Sequence, residues 1–132
     1  VLAQRLLRKV CPECSTERPI NERESQYTGI AMGSPIRVAT SLKAEEKEQR
    51  KKEDTLCTRC SGSGYQGRIG TYELMTISKD IRDAIKQQKS THEIEGIAME
   101  NGMVTLKSYG VDLIKKQLTT ISELKKICNT EF

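Results

Sequence analysis

A chain of 132 residues has room for one ordinary domain or two small ones, and a hydrophobic content of 36% without tryptophan limits it to a modest aliphatic core. The charged fraction of 30%, with no apolar run near the roughly 20 residues that span a bilayer, excludes a membrane-spanning helix. A formal net charge of +4 invites a nucleic-acid reading, but aromatics are only 4% and the charges mix signs instead of forming a basic stripe, so nucleic acid is not expected as a partner.

The chain opens without methionine on Val1-Leu2-Ala3-Gln4-Arg5-Leu6-Leu7-Arg8-Lys9-Val10. Leu2, Leu6 and Val10 recur every four residues, which reads as a helix with one apolar face. No cap precedes it and no signal-peptide pattern is present, so we expect residues 1–10 to be the cut end of a longer protein. Cys11-Pro-Glu-Cys14 follows, then 42 residues, then Cys57-Thr-Arg-Cys60. Between the pairs, Pro19 to Ser41 mixes turn formers with short apolar patches and is read as loop with a short strand or helix. Leu42 to Asp54 has no apolar stripe, yet Glu46/Arg50 and Glu48/Lys52 are helix-favouring pairs, so it reads as a solvated helix.

After Cys60 come Gly62, Gly64, Gly67 and Gly70, and Tyr65 to Met75 is rich in β-formers with alternating character, a strand leaving the second cysteine pair. From Ser78 the period becomes helical. Ser78 caps a helix carrying Ile81, Ala84 and Ile85, and Ser90-Thr-His-Glu93 is a capping box for a second helix closed by Asn101-Gly102. A third helix is predicted from about Thr105 to Lys116, burying Leu106, Tyr109, Leu113 and Ile114. Thr120-Ile-Ser-Glu123 is a further capping box, opening a last helix with Leu124, Ile127 and Cys128. Met99 and Met103 are assigned to the core.

Two Cys-x-x-Cys turns aim paired sulfurs at one point, and two such turns supply the four thiolates of a tetrahedral zinc site. Cys11, Cys14, Cys57 and Cys60 are therefore the expected metal ligands, and the metal a structural zinc. A disulfide scaffold would be shorter and denser in cysteine, and a redox dithiol would leave one pair unexplained. An iron–sulfur cluster also takes four cysteines, but the glycine-rich second turn fits a zinc ribbon better. Zinc with four thiolates subtracts two charges, leaving about +2.

Gly62-Ser-Gly-Tyr-Gln-Gly-Arg-Ile69 fails as a phosphate loop because Arg-Ile stands where Lys-Ser or Lys-Thr is needed. His92, at the second position of a capping box, reads as a surface residue, and Cys128 as a buried structural thiol. No catalytic residue is assigned.

Together, Leu2-Ala-Gln-Arg-Leu6, the two cysteine turns, Gly64-Tyr-Gln-Gly-Arg-Ile-Gly-Thr-Tyr-Glu-Leu74 and Gly102-Met-Val-Thr-Leu106 carry a family resemblance. The chain resembles the C-terminal end of the type II secretion and type IV pilus assembly ATPases. The resemblance implies cytoplasmic hexameric motors, peripheral at the inner membrane, whose ATP hydrolysis drives pilus or pseudopilus assembly through an inner-membrane platform protein. ATP and magnesium would be held only by the full-length parent, so the fragment alone is expected not to be an enzyme. Its partners would be the rest of the motor, neighbouring subunits of the hexamer and the platform protein. The cysteines match the family's zinc ligands, and Arg68 matches an arginine close to bound nucleotide. Two alternatives stand beside this: a DnaJ-like zinc chaperone module, suggested by Cys57-Thr-Arg-Cys-Ser-Gly-Ser-Gly64, and a zinc-ribbon nucleic-acid binder.

The expected fold is α+β and mostly α, a small zinc-stapled lobe with a short strand followed by a four-helix C-terminal lobe. The expected segments are residues 1–10 as the end of a motor domain, 11–76 as the zinc-binding subdomain with a charged insertion near 42–54, and 77–132 as the helical subdomain.

Overall fold

In a computed structural model, which describes residues 1–128, the first ten residues form a strand and not the helix their leucine spacing suggests. The elements in order are β1 (Leu2–Val10), β2 (Thr16–Pro19), α1 (Glu22–Thr28), β3 (Pro35–Val38), α2 (Ala44–Lys52), β4 (Tyr65–Leu74), α3 (Lys79–Lys86), α4 (Thr91–Glu100), α5 (Leu106–Lys115) and α6 (Ile121–Ile127). A spacing of four is also an even number, so Leu2 and Leu6 share one face of a strand as readily as one side of a helix. The partner decides: β1 pairs antiparallel with β4, from Leu2 opposite Leu74 to Val10 opposite Tyr65, with a register shift between Arg8 and Val10. The inward face carries fully buried Leu7 and Thr71, while Leu2 and Leu6 point outward and are more than half exposed.

The stretch between the cysteine turns is more ordered than its composition suggests. β2 and β3 pair from Thr16 opposite Val38 to Pro19 opposite Pro35. They enclose α1, capped by Asn21 and Glu24 in a reciprocal box and closed by Gly29 in the left-handed region at φ +76°. Ile20, Ile30 and Ile36 are buried and join Val111, Ile114, Ile121, Leu124 and Cys128 in one hydrophobic core. The hairpin between the turns and the last two helices therefore share an interior. By contrast α2 buries no residue, as its charge pattern predicts.

The four helices after β4 start where the sequence predicts, three of them at the caps it names. Ser78, Ser90, Thr105 and Thr120 each accept a backbone N–H from the first turn of α3, α4, α5 and α6. α3 packs on α4, whereas α5 packs on α6, on β4 and on β3. Gly110 lets α5 and α6 approach closely: a Cβ there would lie 2.5 Å from Leu124 Cδ1. Four core assignments need correction, Leu106 among them because it is only partly buried. Met99 is about half exposed, Tyr109 is 38% exposed and Met103 is only partly buried. Met99 lies near the end of α4, which packs chiefly on α3, and the ring of Tyr109 stands edge-on to Tyr72 at 5.5 Å instead of entering the core. His92 is exposed and Cys128 buried, as expected. The fold is α+β with helix predominating. Among the described residues no helix is long and apolar enough to cross a membrane.

Candidate metal centre

The ribbon of β1 and β4 delivers both cysteine turns to one place. β1 runs directly into Cys11, and Cys60 lies five residues before the start of β4. In the first turn the Ser15 N–H donates back to the Cys11 carbonyl at 3.2 Å, and in the second the Ser61 N–H donates to the Cys57 carbonyl at 2.9 Å. Gly64 stitches the two together. Its N–H points at Cys60 Sγ, 3.4 Å away, and its carbonyl accepts the Cys11 N–H at 2.9 Å. Its φ is +85°, and a Cβ there would come within about 3 Å of Ser41 and Ala39, so glycine is required on both counts.

All four sulfurs lie within 4.8 Å of one another. Cys11 Sγ is 3.8 Å from Cys57 Sγ, and Cys14 Sγ is 3.4 Å from Cys60 Sγ. A tetrahedron with metal–sulfur bonds of about 2.3 Å has edges of about 3.8 Å, so the spacing fits a tetrathiolate ion. None of the four is in a disulfide. Cys11 and Cys60 are buried, while Cys14 and Cys57 are partly exposed and line a cleft of about 350 Å³ that offers an access path for an ion. The cleft is walled by Thr40, whose hydroxyl donates to the Cys14 carbonyl at 2.7 Å, and by Leu42 on the approach to α2.

The sulfurs are not equivalent toward protons. Burial pushes the Cys60 thiol up, but the N–H groups of Gly64 and Gly62 and the bond from Cys14 outweigh it, bringing Cys60 down to about 7. Cys14 is pushed up, first by burial and then by its sulfur neighbours. The backbone dipoles of Gly64 and Gly62 are aimed at Cys60 and favour its thiolate over that of Cys14. Four convergent soft donors with a backbone N–H on one of them can hold a metal ion and leave no position for a reacting water.

Arg68 stands elsewhere. It is exposed on β4, directly opposite Arg8 in the register, and the structure does not bring it to the sulfurs.

Sequence reading missed a second constellation beside the first. Glu123, 5% exposed, accepts from the Arg8 backbone N–H at 3.0 Å, from Arg8 Nε at 2.9 Å and from Lys126 Nζ at 3.1 Å. Arg8 Nη2 lies 2.8 Å from the same carboxylate. The Arg8 guanidinium sits 4.0 Å over the Tyr65 ring, and the Tyr65 hydroxyl meets Thr120 Oγ1 at 2.9 Å. Burial alone would raise Glu123, but the Arg8 and Lys126 donors prevail and hold it below the ordinary glutamate range. The only signal was Thr120-Ile-Ser-Glu123. Thr120 does cap the Glu123 N–H at 3.2 Å, but the glutamate carboxylate goes to Arg8. The motif recorded the glutamate and concealed its partner.

A family model described as type II/IV secretion system protein matches residues 1–126. Among similar proteins, a type IV pilus assembly ATPase PilB of Thermus thermophilus is 34% identical over 124 residues, which is 94% of this chain and 13% of that protein. The type II secretion system protein E of Dickeya dadantii is 33% identical over 133 residues, 99% of this chain and 23% of that protein. The corresponding protein of Pectobacterium carotovorum is 30% identical over 131 residues, again 99% and 23%. The chain thus spans less than a quarter of the length of these relatives.

Proposed function

This chain belongs to the type II/IV secretion system protein family, and from that premise we propose that it is the C-terminal accessory part of a hexameric secretion or pilus-assembly ATPase, built around a structural zinc. Cys11, Cys14, Cys57 and Cys60 are the ligands. The observation that carries the metal reading is the sulfur spacing, with cross-turn separations of 3.4 and 3.8 Å against a tetrahedral edge of about 3.8 Å. Bound there, zinc supplies cross-linking of the two turns and no water activation, because all four positions go to thiolate.

The part helps couple ATP hydrolysis in the parent to assembly of a pilus or pseudopilus. It works from the cytoplasm at the inner membrane, with the rest of the motor, neighbouring subunits and a platform protein as partners. Residues 1–10 form the end of the motor domain, residues 11–76 the zinc subdomain and residues 77–132 the helical subdomain. The ribbon supports the first assignment: Leu2, Leu6 and Leu74 are each more than half exposed on its outward face, an apolar surface suited to a larger sheet and its covering layer. ATP and magnesium belong to the parent. Arg68, exposed on the same ribbon, lies close to that nucleotide in the assembled motor.

Metal analysis tests the centre. The reduced chain, refolded with zinc and freed of excess, should hold one ion per chain, and Cys57→Ser should hold none at the same free zinc. Substoichiometric zinc in the unaltered chain overturns the site. In the full-length ATPase, Cys57→Ser should abolish assembly while leaving nucleotide binding in place, and Arg68→Ala should weaken nucleotide binding. Wild-type assembly by the cysteine variant would separate zinc from coupling.

A further inference from the structure

Both strands that enter the metal centre are held from outside the ribbon by one short stretch, the turn and first residues of α6. The β1–β4 register breaks between Arg8 and Val10, immediately before the first cysteine turn, so ladder bonds alone do not fix that end of β1. Other bonds take over. The Arg8 N–H goes to Glu123 at 3.0 Å, the Arg8 carbonyl accepts from the Thr119 hydroxyl at 2.8 Å, and the Val10 N–H donates to the Leu118 carbonyl at 3.0 Å. On the opposite strand, Tyr65 is held by its hydroxyl on Thr120 and by the Arg8 guanidinium over its ring. Tyr65 directly follows Gly64, whose N–H rests on Cys60 and whose carbonyl holds Cys11. A displacement of α6 must therefore move residues that orient sulfurs in both turns.

We propose that Glu123, Arg8 and Tyr65 are positioning residues of the metal centre, so that metal binding and docking of the α5–α6 hairpin are coupled. The proposal rests on the metal reading above. Glu123 acts through Arg8 and Tyr65, and Tyr65 acts through its neighbour Gly64, which touches Cys60 and Cys11, an extended form of the way outer partners orient metal ligands. Coupling of this kind is reciprocal: whatever α6 contributes to metal affinity, the metal returns to the docking of α6. Among the described residues the α3–α4 hairpin, which packs chiefly on itself, has no comparable bond to either cysteine turn and provides the internal control.

The test uses the whole chain with zinc as the probe. Affinity is measured by competition with a chromophoric chelator, and amide exchange is followed with and without metal. Glu123→Gln and Arg8→Met should each weaken zinc by about 10-fold, the lower end for outer-shell partners. The double variant should lose little more than either single one, because both remove the same linkage. Removing zinc should speed exchange in α6 by about 10-fold or more while α3 and α4 stay unchanged, and in Glu123→Gln that metal dependence should vanish. Should the glutamine variant not fold, Tyr65→Phe keeps the ring under Arg8, drops only the bond to Thr120, and should still weaken zinc measurably. Affinities within 2-fold of the parent for Arg8→Met and Tyr65→Phe, or α6 exchange indifferent to metal, overturn the proposal and leave the metal site standing. No zinc bound by the unaltered chain overturns both.

Discussion

The two helical hairpins of this protein begin alike and end differently. α3–α4 and α5–α6 are both opened by hydroxyl caps and both carry apolar residues at helical spacing. Yet α3 and α4 bury only Ile81, Ala84 and Ala98, leaving Ile85 and Met99 about half exposed. α5 and α6 bury Val111, Ile114, Ile121 and Leu124 against isoleucines from the segment between the cysteine turns. Local signals set where a helix starts; what it leans on decides how much of its face is worth in stability. The first hairpin leans on itself and the second on a core gathered from the distant β2–β3 segment.

That contrast can be broken by matched substitutions, compared by urea denaturation of the metal-loaded chain. Leu124→Ala empties a fully buried site and should cost about 4 kcal/mol, whereas Ile85→Ala should stay within about 0.5 kcal/mol. Equal effects would erase the distinction. Glycine to alanine should change sign between the hairpins. Gly110→Ala drives a methyl into buried Leu124 and should cost about 2 kcal/mol, while Gly96→Ala meets nothing within 4 Å and should stabilise α4 by about 0.8 kcal/mol. Removing a cap sharpens the comparison further. Ser90→Ala should cost about 1 kcal/mol, and Thr120→Ala up to about 2 kcal/mol because its hydroxyl also meets Tyr65.

Acid sensitivity offers a further comparison. Glu123 sits lower in the folded chain than the ordinary glutamate value of 4.5, so its contribution is whole above that value and fades as pH falls through the folded one. Because Arg8 is 43% exposed and Lys126 59%, the contribution is on the order of 1 kcal/mol. Below about pH 4.5, the glutamate range, amide exchange in α6 should rise before that in α3 and α4, and Glu123→Gln should remove the difference. Glu24, lowered by Arg18, has the same sign and adds to the acid response.

The candidate site was legible because its signal is local: two residues between cysteines, and glycines where the backbone must turn left-handed or approach closely. Helix starts were legible for the same reason, since the caps Ser78, Ser90 and Thr120 act within one turn. β1 was misread because its spacing of four satisfies both periods, and the strand that resolves the ambiguity begins more than fifty residues later at Tyr65. The core escaped for a related reason. Ile20, Ile30 and Ile36 are isolated apolar residues among turn formers, and only the β2–β3 pairing brings them together. Tyr109 and Met99 sit at helical positions that look apolar along the chain, but the elements beside them do not close over those sides. The Arg8–Glu123 linkage joins residues 115 apart and leaves no periodic trace.

Helix α2 carries an implication for how this family can change over time. It buries nothing of its own; Lys47 lies over Gly62, and just ahead of the helix the Leu42 N–H donates to the Gly62 carbonyl. Closure entropy grows only as the logarithm of length, so trimming about a dozen residues from the 42 between Cys14 and Cys57 alters it by about 0.3 kcal/mol. Insertions and deletions at this one place are thus nearly neutral for folding. The segment is a tolerant address where lineages can graft new sequence, or an experimenter a label, without disturbing the sulfurs it stands between.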